Sequence, residues 1–204
     1  MRRIQGKRCL ELDTHTLIQR ARASSCTLLD LGAGDGRFVA QMARSYPDSL
    51  AIGVDACHEN LIEQSRRAPE NAVFLVANAR SLPAEMAGIA TRLTINFPWG
   101  SLLTGLLDDL AFCERLASLA LPGATLEVVV NGGALTEAGW TLEAGVARIQ
   151  SNLRAAGFAL RAPLARGPAE LRACPTTWAR RLAFGRDPRA VFLSGNRKGE
   201  GEMM

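Results

Sequence analysis

Two hydrophobic periods alternate along this chain. Short continuous apolar runs predict buried strands, and the segments between them repeat apolar residues at helical spacing. The predicted strands span 27–31, 50–55, 72–77, 92–96, 125–130, 158–164 and 190–194. Four predicted helices span about 37–45, 58–68, 102–120 and 141–156. Two shorter helices are predicted to begin at about residue 13 and after residue 83. Strands that alternate with helices imply an α/β fold with a seven-stranded, mostly parallel sheet and helices on both faces.

The first of these strands leads directly into a glycine-rich loop. Gly32, Gly34 and Gly36 follow the strand and precede a helix, which is the opening unit of a nucleotide-binding domain. Dinucleotide-binding loops need a third glycine where this chain has Arg37, so that class is disfavoured. Asp30, just before the loop, suits a ligand with an ammonium group. A generic tight turn in any α/β protein is the alternative at this point.

The ends of the next two strands carry further candidates, because ligands of open α/β sheets lie beyond the carboxyl ends of the strands. Asp55 ends the second strand, where a carboxylate can accept both ribose hydroxyls of an adenosyl group. A helix-capping aspartate is the alternative. Asn78 and Ala79 follow the third strand, where backbone and a side-chain amide are predicted to contact an adenine edge.

Two tryptophans are poorly explained by core packing. Trp99 follows Pro98 at the end of the fourth strand, and Trp178 lies among arginines in a segment, 166–189, that is predicted to be irregular. Indole rings stack on nucleic-acid bases for about 1–3 kcal/mol each. The two positions therefore predict contacts with a planar substrate, although Trp178 could instead pin its segment to the body of the protein.

Composition adds a compartment and a charge distribution. The chain has 204 residues and five cysteines with no C-x-x-C pair, which favours a reducing cytosol and no metal site. No apolar run approaches the roughly 20 residues of a membrane helix. The net charge of +4 arises from bases at the two ends of the sequence, since residues 9–160 hold more acids than bases. Such ends can form a nucleic-acid surface or an ordinary solvated one.

Six stretches together resemble a known family. They are residues 1–8, 29–36, 53–56, 78–83, 97–103 and 177–182, and the most specific are P-W-G-S-L-L at 98–103 and T-W-A-R-R-L at 177–182. The chain resembles the aminoglycoside-resistance 16S rRNA (adenine(1408)-N(1))-methyltransferases. That resemblance implies the Rossmann-like class I fold of methyltransferases that use S-adenosylmethionine (SAM), and an enzyme acting on 16S rRNA in the 30S subunit. We expect a cytoplasmic monomer.

The resemblance also implies roles for individual residues. The two tryptophans, Trp99 and Trp178, hold the flipped target adenine. The SAM-binding set is Asp30, Gly32, Gly34, Asp55, Asn78, Ala79, Arg80, Asn96, Pro98, Ser101 and Thr177. The RNA-binding set is Arg2, Arg3, Lys7, Arg8, Arg66, Arg67, Arg180, Arg181, Arg186 and Arg189.

The predicted organisation is a basic N-terminal extension at 1–26, the methyltransferase domain at 27–195 and a flexible tail at 196–204. Two features depart from the family: the stretch 131–141 is short, and Arg80 stands where the family has an acidic residue. Two other functions stay open at this point. One is a SAM-dependent methyltransferase acting on another RNA or a planar small molecule, and the other is a non-catalytic ribosome-binding protein on the same fold.

Overall fold

A computed structural model describes residues 1–184, 188–199 and 201. Ten strands in these residues form one sheet, in the order β2-β1-β5-β4-β3-β6-β7-β10-β8, with β9 paired to β10. The strands are β1 (Arg2–Gln5), β2 (Arg8–Glu11), β3 (Thr27–Leu31), β4 (Leu50–Asp55), β5 (Ala72–Val76), β6 (Ala90–Asn96), β7 (Ala120–Asn131), β8 (Phe158–Leu160), β9 (Leu164–Arg166) and β10 (Ala190–Arg197). The α/β class is confirmed, and the strand count exceeds the predicted seven.

The centre of the sheet is parallel. Strands β5, β4, β3, β6 and β7 run in one direction, so their carboxyl ends lie at one edge of the fold. Their continuous apolar sequences are explained by burial on both faces: all five residues of β3 are buried. The glycine loop and the segment that carries Trp99 follow β3 and β6, which are neighbours.

Helices cover both faces of this sheet. They are α1 (Thr14–Ala23), α2 (Arg37–Ser45), α3 (His58–Arg67), α4 (Gly100–Asp108), α5 (Leu110–Leu119), α6 (Gly132–Glu137), α7 (Leu142–Ala155), α8 (Pro168–Ala173) and α9 (Thr177–Ala183), with 3-10 turns at Ala79–Ser81 and Ala84–Met86. One apolar cluster packs α1, α4, α5 and α7 against the sheet, and a second packs α2 and α3 against it. No helix in the described part of the chain is long and apolar enough to cross a membrane.

The long helix predicted over 102–120 is in fact two helices. Asp109 ends α4 and begins α5, where its side chain accepts a hydrogen bond from the backbone N–H of Phe112 at 3.0 Å. An aspartate that caps a new helix competes with continuation of the old one, which explains the break.

Both ends of the sequence differ from the prediction. Residues 1–12 were expected as an extension, but β1 and β2 form a hairpin that joins the sheet through pairing of β1 with β5. At the other end β10 continues to Arg197, so residues 196 and 197 belong to the sheet and not to a tail. The predicted strand at 158–164 is divided into β8 and the start of β9, which both pair with β10.

The segment 166–189 is more regular than predicted, since it contains α8 and α9. Trp178 therefore lies in the first turn of a helix. Phe97, Leu171, Ala179 and Ala190 form a small buried cluster that attaches the two helices to the end of β6 and the start of β10. The predicted RNA-binding residue Arg186 lies outside the described residues.

Candidate functional site

The glycine loop has a backbone that side chains would not permit. Gly32, Gly34 and Gly36 have φ values of 73°, 55° and 74°, all in the left-handed region. A Cβ on Gly32 would lie 2.7 Å from the side chain of Leu102, whereas a Cβ on Gly34 would meet nothing within 4 Å. The space over Gly34 is therefore open for a ligand to lie against bare backbone.

Asp55 fixes this loop from the neighbouring strand. Its Oδ2 accepts a hydrogen bond from the backbone N–H of Gly34 at 2.8 Å, and its Oδ1 accepts one from Cys57 at 2.9 Å. Each carboxylate oxygen has a second lone pair, so both can also accept from ligand hydroxyls. Asp55 lines a cavity of about 240 Å³ with Gly34, Asn78 and Ala79. The structure thus brings these four predicted residues together.

Asp30 lies beneath the loop and is almost completely buried, with 1% of its surface exposed. Burial raises the pKa of its carboxyl to about 7, although hydrogen bonds from Thr94 at 2.6 Å and Asn96 at 3.0 Å favour the charged form. The nearby Asp55 raises this pKa further and Arg92 lowers it. A cation beside this carboxylate would favour its charged form and lower the pKa again.

Asp30 and Asn96 line a second cavity, of about 300 Å³, with Asp35 and Thr177. This cavity and the first one share Gly32, Gly34, Asn60, Asn96 and Trp178. The predicted residues Pro98 and Ser101 line the first cavity. The two cavities therefore form one elongated cleft, with Asp30 at one end and Asn78 at the other.

At the Asn78 end, two predicted residues are engaged within the protein. The Asn78 side chain accepts a hydrogen bond from the backbone N–H of Arg80 at 2.9 Å, so its oxygen caps the 3-10 turn. The Arg80 guanidinium forms an ion pair with Asp109 and lies 5.9 Å from the centre of the Phe112 ring. The backbone N–H of Phe112 and the Arg80 guanidinium hold the pKa of the Asp109 carboxyl below its usual value. Arg80 therefore joins the wall of the cleft to the junction of α4 and α5.

Trp99 and Trp178 meet at the mouth of the cleft. Their ring centres are 5.8 Å apart and their planes differ by 13°, so the indoles are stacked. They remain 42% and 46% exposed. The guanidinium of Arg181 lies 5.7 Å from the centre of the Trp178 ring. Two large, exposed and parallel aromatic rings beside a charged group form a surface suited to a planar base.

Phe97 explains why Trp99 points to the cleft. Its φ is 55°, which is uncommon for a residue with a side chain. Its ring packs with Leu171 and Ala179, while its backbone N–H donates to the carbonyl of Val129 at 2.8 Å. The buried ring therefore turns the chain at the end of β6, and Pro98 and Trp99 then line the cleft.

Sequence reasoning missed three contributors to this geometry. The left-handed turn at Phe97 was not predicted, and neither Asp35 nor Asp109 was singled out. A helix-capping signal at Asp109 could have been read locally, since the residue precedes a new apolar stripe. Asp35 gave no local signal, because its partner Thr177 is 142 residues away.

The predicted RNA-binding residues form two groups in the structure. The first, called here the hairpin group, lies on β1, β2, their turn and the end of α3; it comprises Arg2, Arg3, Lys7, Arg8, Arg66 and Arg67. The turn is attached to α3 through Gly6, whose backbone N–H donates to Ser65 Oγ at 2.9 Å. The second, called here the α9 group, comprises the exposed Arg180 and Arg181, with Arg189 before β10.

The fold does not join the ends of the sequence. Five strands separate β1 from β10, so six strand spacings of about 4.8 Å place them about 29 Å apart. The two terminal strands, β1 and β10, are therefore not adjacent. The α9 group itself borders the cleft, since Thr177 donates to Asp35 in the glycine loop and Arg181 lines the same cavity as Gly34.

Comparison with known proteins decides the family. A family model described as "NpmA: 16S rRNA (adenine(1408)-N(1))-methyltransferase" matches residues 2–197, nearly the whole chain. The chain belongs to the 16S rRNA (adenine(1408)-N(1))-methyltransferase family. The predicted family is thus confirmed.

Individual relatives support this assignment. A 16S rRNA (adenine(1408)-N(1))-methyltransferase of Streptoalloteichus hindustanus is 31% identical over 92% of this chain and 94% of its own. The 16S rRNA methyltransferase KamB, known from a crystal structure, is 28% identical to this chain. The two structures superpose with a TM-score of 0.88 over 98% of this chain and 100% of KamB.

A family member from Catenulisporales acidiphilia, solved as a variant with cosubstrate SAM, has the same fold. It is 24% identical to this chain, with a TM-score of 0.84 over 98% of both chains. In this chain, the methyltransferase cleft has a donor set that fits SAM: a buried carboxylate for an ammonium group, bare backbone at Gly34, and a carboxylate, Asp55, for hydroxyls. Among the described residues, no cluster of histidine, cysteine, aspartate or glutamate is arranged to hold a metal ion.

Proposed function

We propose that this protein methylates N1 of adenine 1408 in 16S rRNA, within the 30S subunit, and so confers aminoglycoside resistance. The observation that carries the proposal is the stacked Trp99–Trp178 pair at the mouth of a methyltransferase cleft. A methyltransferase that acts on small flexible substrates does not need two exposed parallel indoles. A base taken out of an RNA helix does, because it loses its own stacking partners.

SAM supplies an electrophilic methyl group when bound. The ammonium of its methionine part would be held by Asp30, and its ribose hydroxyls by Asp55. Gly32 and Gly34 provide the open backbone between these two carboxylates. Asn78 and Ala79 line the wall where the adenine part would lie. The side-chain oxygen and the carbonyl of Asn78 both accept hydrogen bonds within the 3-10 turn, which holds this wall in place.

N1 of adenine is a neutral nucleophile with a free lone pair, so no residue has to remove a proton before attack. What the protein must supply is position, by holding the reacting atoms in line. N1 lies on the Watson–Crick edge, so the base must leave any pair or stack. Trp99 and Trp178 would compensate for that loss by stacking on both faces of the base.

The slot between the indoles is narrower than a bound base requires. Carbon atoms in contact lie about 3.5 Å apart, so a base with a ring on each side needs about 7 Å. The ring centres are 5.8 Å apart. Base entry therefore requires Trp178 or Trp99 to move by at least about 1 Å.

The basic groups would hold the rRNA on either side of this slot. Two arginines of the α9 group, Arg180 and Arg181, follow Trp178 by two and three residues. They would contact phosphates close to the flipped base. The hairpin group would contact RNA farther away. A methylated N1 carries a positive charge and cannot pair, which would exclude drugs that bind this edge. In this proposal, the protein acts on ribosomes in the cytoplasm as a monomer.

One experiment tests the function against its alternatives. Purified 30S subunits are incubated with the protein and SAM carrying a labelled methyl group, and the modified base is mapped by primer extension. A stop at adenine 1408 supports the proposal. Label at another base or on a small molecule would indicate a different methyltransferase, and absence of label with retained 30S binding would indicate a non-catalytic ribosome-binding protein.

A further inference from the structure

A side-chain hydrogen bond joins the glycine loop to α9. The carboxylate of Asp35 accepts it from the hydroxyl of Thr177, across 142 residues of sequence. Asp35 lies between Gly34 and Gly36 in the loop that borders the cleft, and Thr177 immediately precedes Trp178. The bond therefore connects the cofactor side of the site to the indole at its mouth.

The loop end of this bond is fixed. Oδ1 of Asp35 accepts from the backbone N–H of Arg37 at 3.2 Å, and the Arg37 side chain lies 3.3 Å from Oδ2. The flanking Gly34 and Gly36 are both in the left-handed conformation, which determines the direction of the loop between them. The carboxylate is thus presented at a defined position before any ligand is considered.

The α9 end is attached to the protein by apolar packing on one face of the helix. The helix is seven residues long, and Ala179 is its one fully buried residue. The Thr176 hydroxyl caps the helix by accepting from the backbone N–H of Ala179 at 2.9 Å, but this bond is internal to α9. Leu182 and Ala183 pack on the same buried cluster as Ala179. A small rotation of this short helix about that contact would take Trp178 off the face of Trp99.

We propose that Asp35 is a positioning residue, which sets the orientation of Trp178 against Trp99 through the Thr177 hydroxyl. The target-base slot is thereby coupled to the loop that borders the cofactor cleft. The role of this coupling in methyl transfer rests on the proposed function, but the contact and its effect on the indole pair do not. Asp35 touches neither the base nor the methyl group in this scheme.

The indole pair gives a readout that is independent of activity. Stacked indoles couple electronically and produce a paired positive and negative band in far-ultraviolet circular dichroism. The chain has three tryptophans, so a Trp140→Phe background leaves only Trp99 and Trp178. Trp178→Phe in this background defines the spectrum without the pair.

In that background, Asp35→Ala and Thr177→Val should each abolish the paired band and lower kcat for 30S methylation by about 10- to 100-fold, as expected for a displacement of about 1 Å. In Asp35→Ala, the affinity for SAM, measured by calorimetry, should change by less than about threefold. Thr177→Val is assessed by the band and kcat alone, because Thr177 also lines the SAM cleft. The double variant should lose no more than either single variant, because both remove the same bond. Asp35→Asn, whose amide oxygen can still accept, should restore the band.

Thermal unfolding of each variant shows whether α9 and the domain remain folded. An unchanged band and kcat in Asp35→Ala would overturn the proposal. A loss of activity explained entirely by weaker SAM binding would also overturn it, since Asp35 would then act on the cofactor alone. If the band is lost as expected but the wild-type protein does not label adenine 1408, the positioning role stands and the proposed function fails.

Discussion

Trp99 and Trp178 lie 5.8 Å apart and nearly parallel, although they come from different elements at distant points of the chain. Trp99 follows the end of β6, and Trp178 begins α9. Their contact depends on the buried cluster of Phe97, Leu171 and Ala179, which holds both elements together. The pair is therefore a product of packing beneath it as well as of attraction between the rings.

Replacement of Trp178 by alanine should reduce methylation of 30S subunits by about 5- to 150-fold, the equivalent of about 1–3 kcal/mol of stacking. SAM affinity should remain within about threefold, because the loop and Asp55 are untouched. Single-turnover kinetics and calorimetry measure the two quantities. Trp140→Phe is the matched control, since Trp140 packs against the core outside the cleft. Full activity in Trp178→Ala would refute the base-stacking role.

Replacement of Asp55 by alanine should weaken SAM binding by at least about tenfold, because it removes the predicted ribose acceptor and the bond that fixes Gly34. Calorimetry with SAM measures the effect. Asp48→Ala is the control, since Asp48 is exposed and precedes the opposite end of β4. Equal SAM affinities in the two variants would exclude the ribose assignment.

The affinity for SAM should increase with pH between 6 and 7.5, by up to about tenfold. The Asp30 carboxyl, whose pKa burial raises to about 7, is mostly protonated at pH 6 in the free protein, and an ammonium group binds the charged form. Binding should therefore release a proton near pH 7, which calorimetry in buffers of different ionisation enthalpy detects. Asp30→Asn should bind more weakly and without this release. A pH-independent affinity in the wild type would contradict the role of Asp30.

The same shift has a consequence for folding. A carboxyl whose pKa is higher in the folded protein than in the unfolded chain disfavours the folded state once it ionises, so its contribution becomes less favourable as pH rises from about 4 to about 7. Asp30→Asn removes this dependence. The free energy of unfolding of the SAM-free protein is measured with denaturant at pH 5 and pH 8. Relative to the wild type, Asp30→Asn should therefore be more stable at pH 8 than at pH 5.

Replacement of Arg180 and Arg181 by alanine should weaken 30S binding and reduce its dependence on salt concentration by about one unit of slope for each lost phosphate contact. SAM affinity should not change. Arg154→Ala is the control, since this exposed residue ends α7 and leads to β8, at the opposite edge of the sheet from the cleft. An identical salt slope in the double variant and the wild type would remove the α9 group from the RNA contact.

The Arg80–Asp109 ion pair should support SAM binding by holding the cleft wall to the α4–α5 junction. Arg80→Gln and Asp109→Asn should each weaken SAM binding by about two- to fivefold, the range of partly exposed ion pairs. The double variant should be no weaker than the worse single variant. Additive effects would indicate that Arg80 contacts the ligand directly instead of acting through Asp109.

The sequence was sufficient for the fold class, the glycine loop and the two tryptophans, because each is encoded locally. Continuous apolar runs indicate buried parallel strands, and alternate glycines permit a tight turn. An aromatic residue after proline at a strand end is poorly explained by core packing. The family was likewise recognisable from stretches such as 98–103 and 177–182. The RNA and SAM roles of individual residues remain predictions.

Tertiary structure decided how these local features act together. The Asp35–Thr177 bond, the Arg80–Asp109 ion pair and the left-handed Phe97 depend on partners far away in sequence, which no local pattern encodes. The N-terminal hairpin likewise joins the sheet through pairing of β1 with β5, a strand about 70 residues further along the chain. The chain by itself therefore determined which groups are available, and long-range packing determined which of them meet.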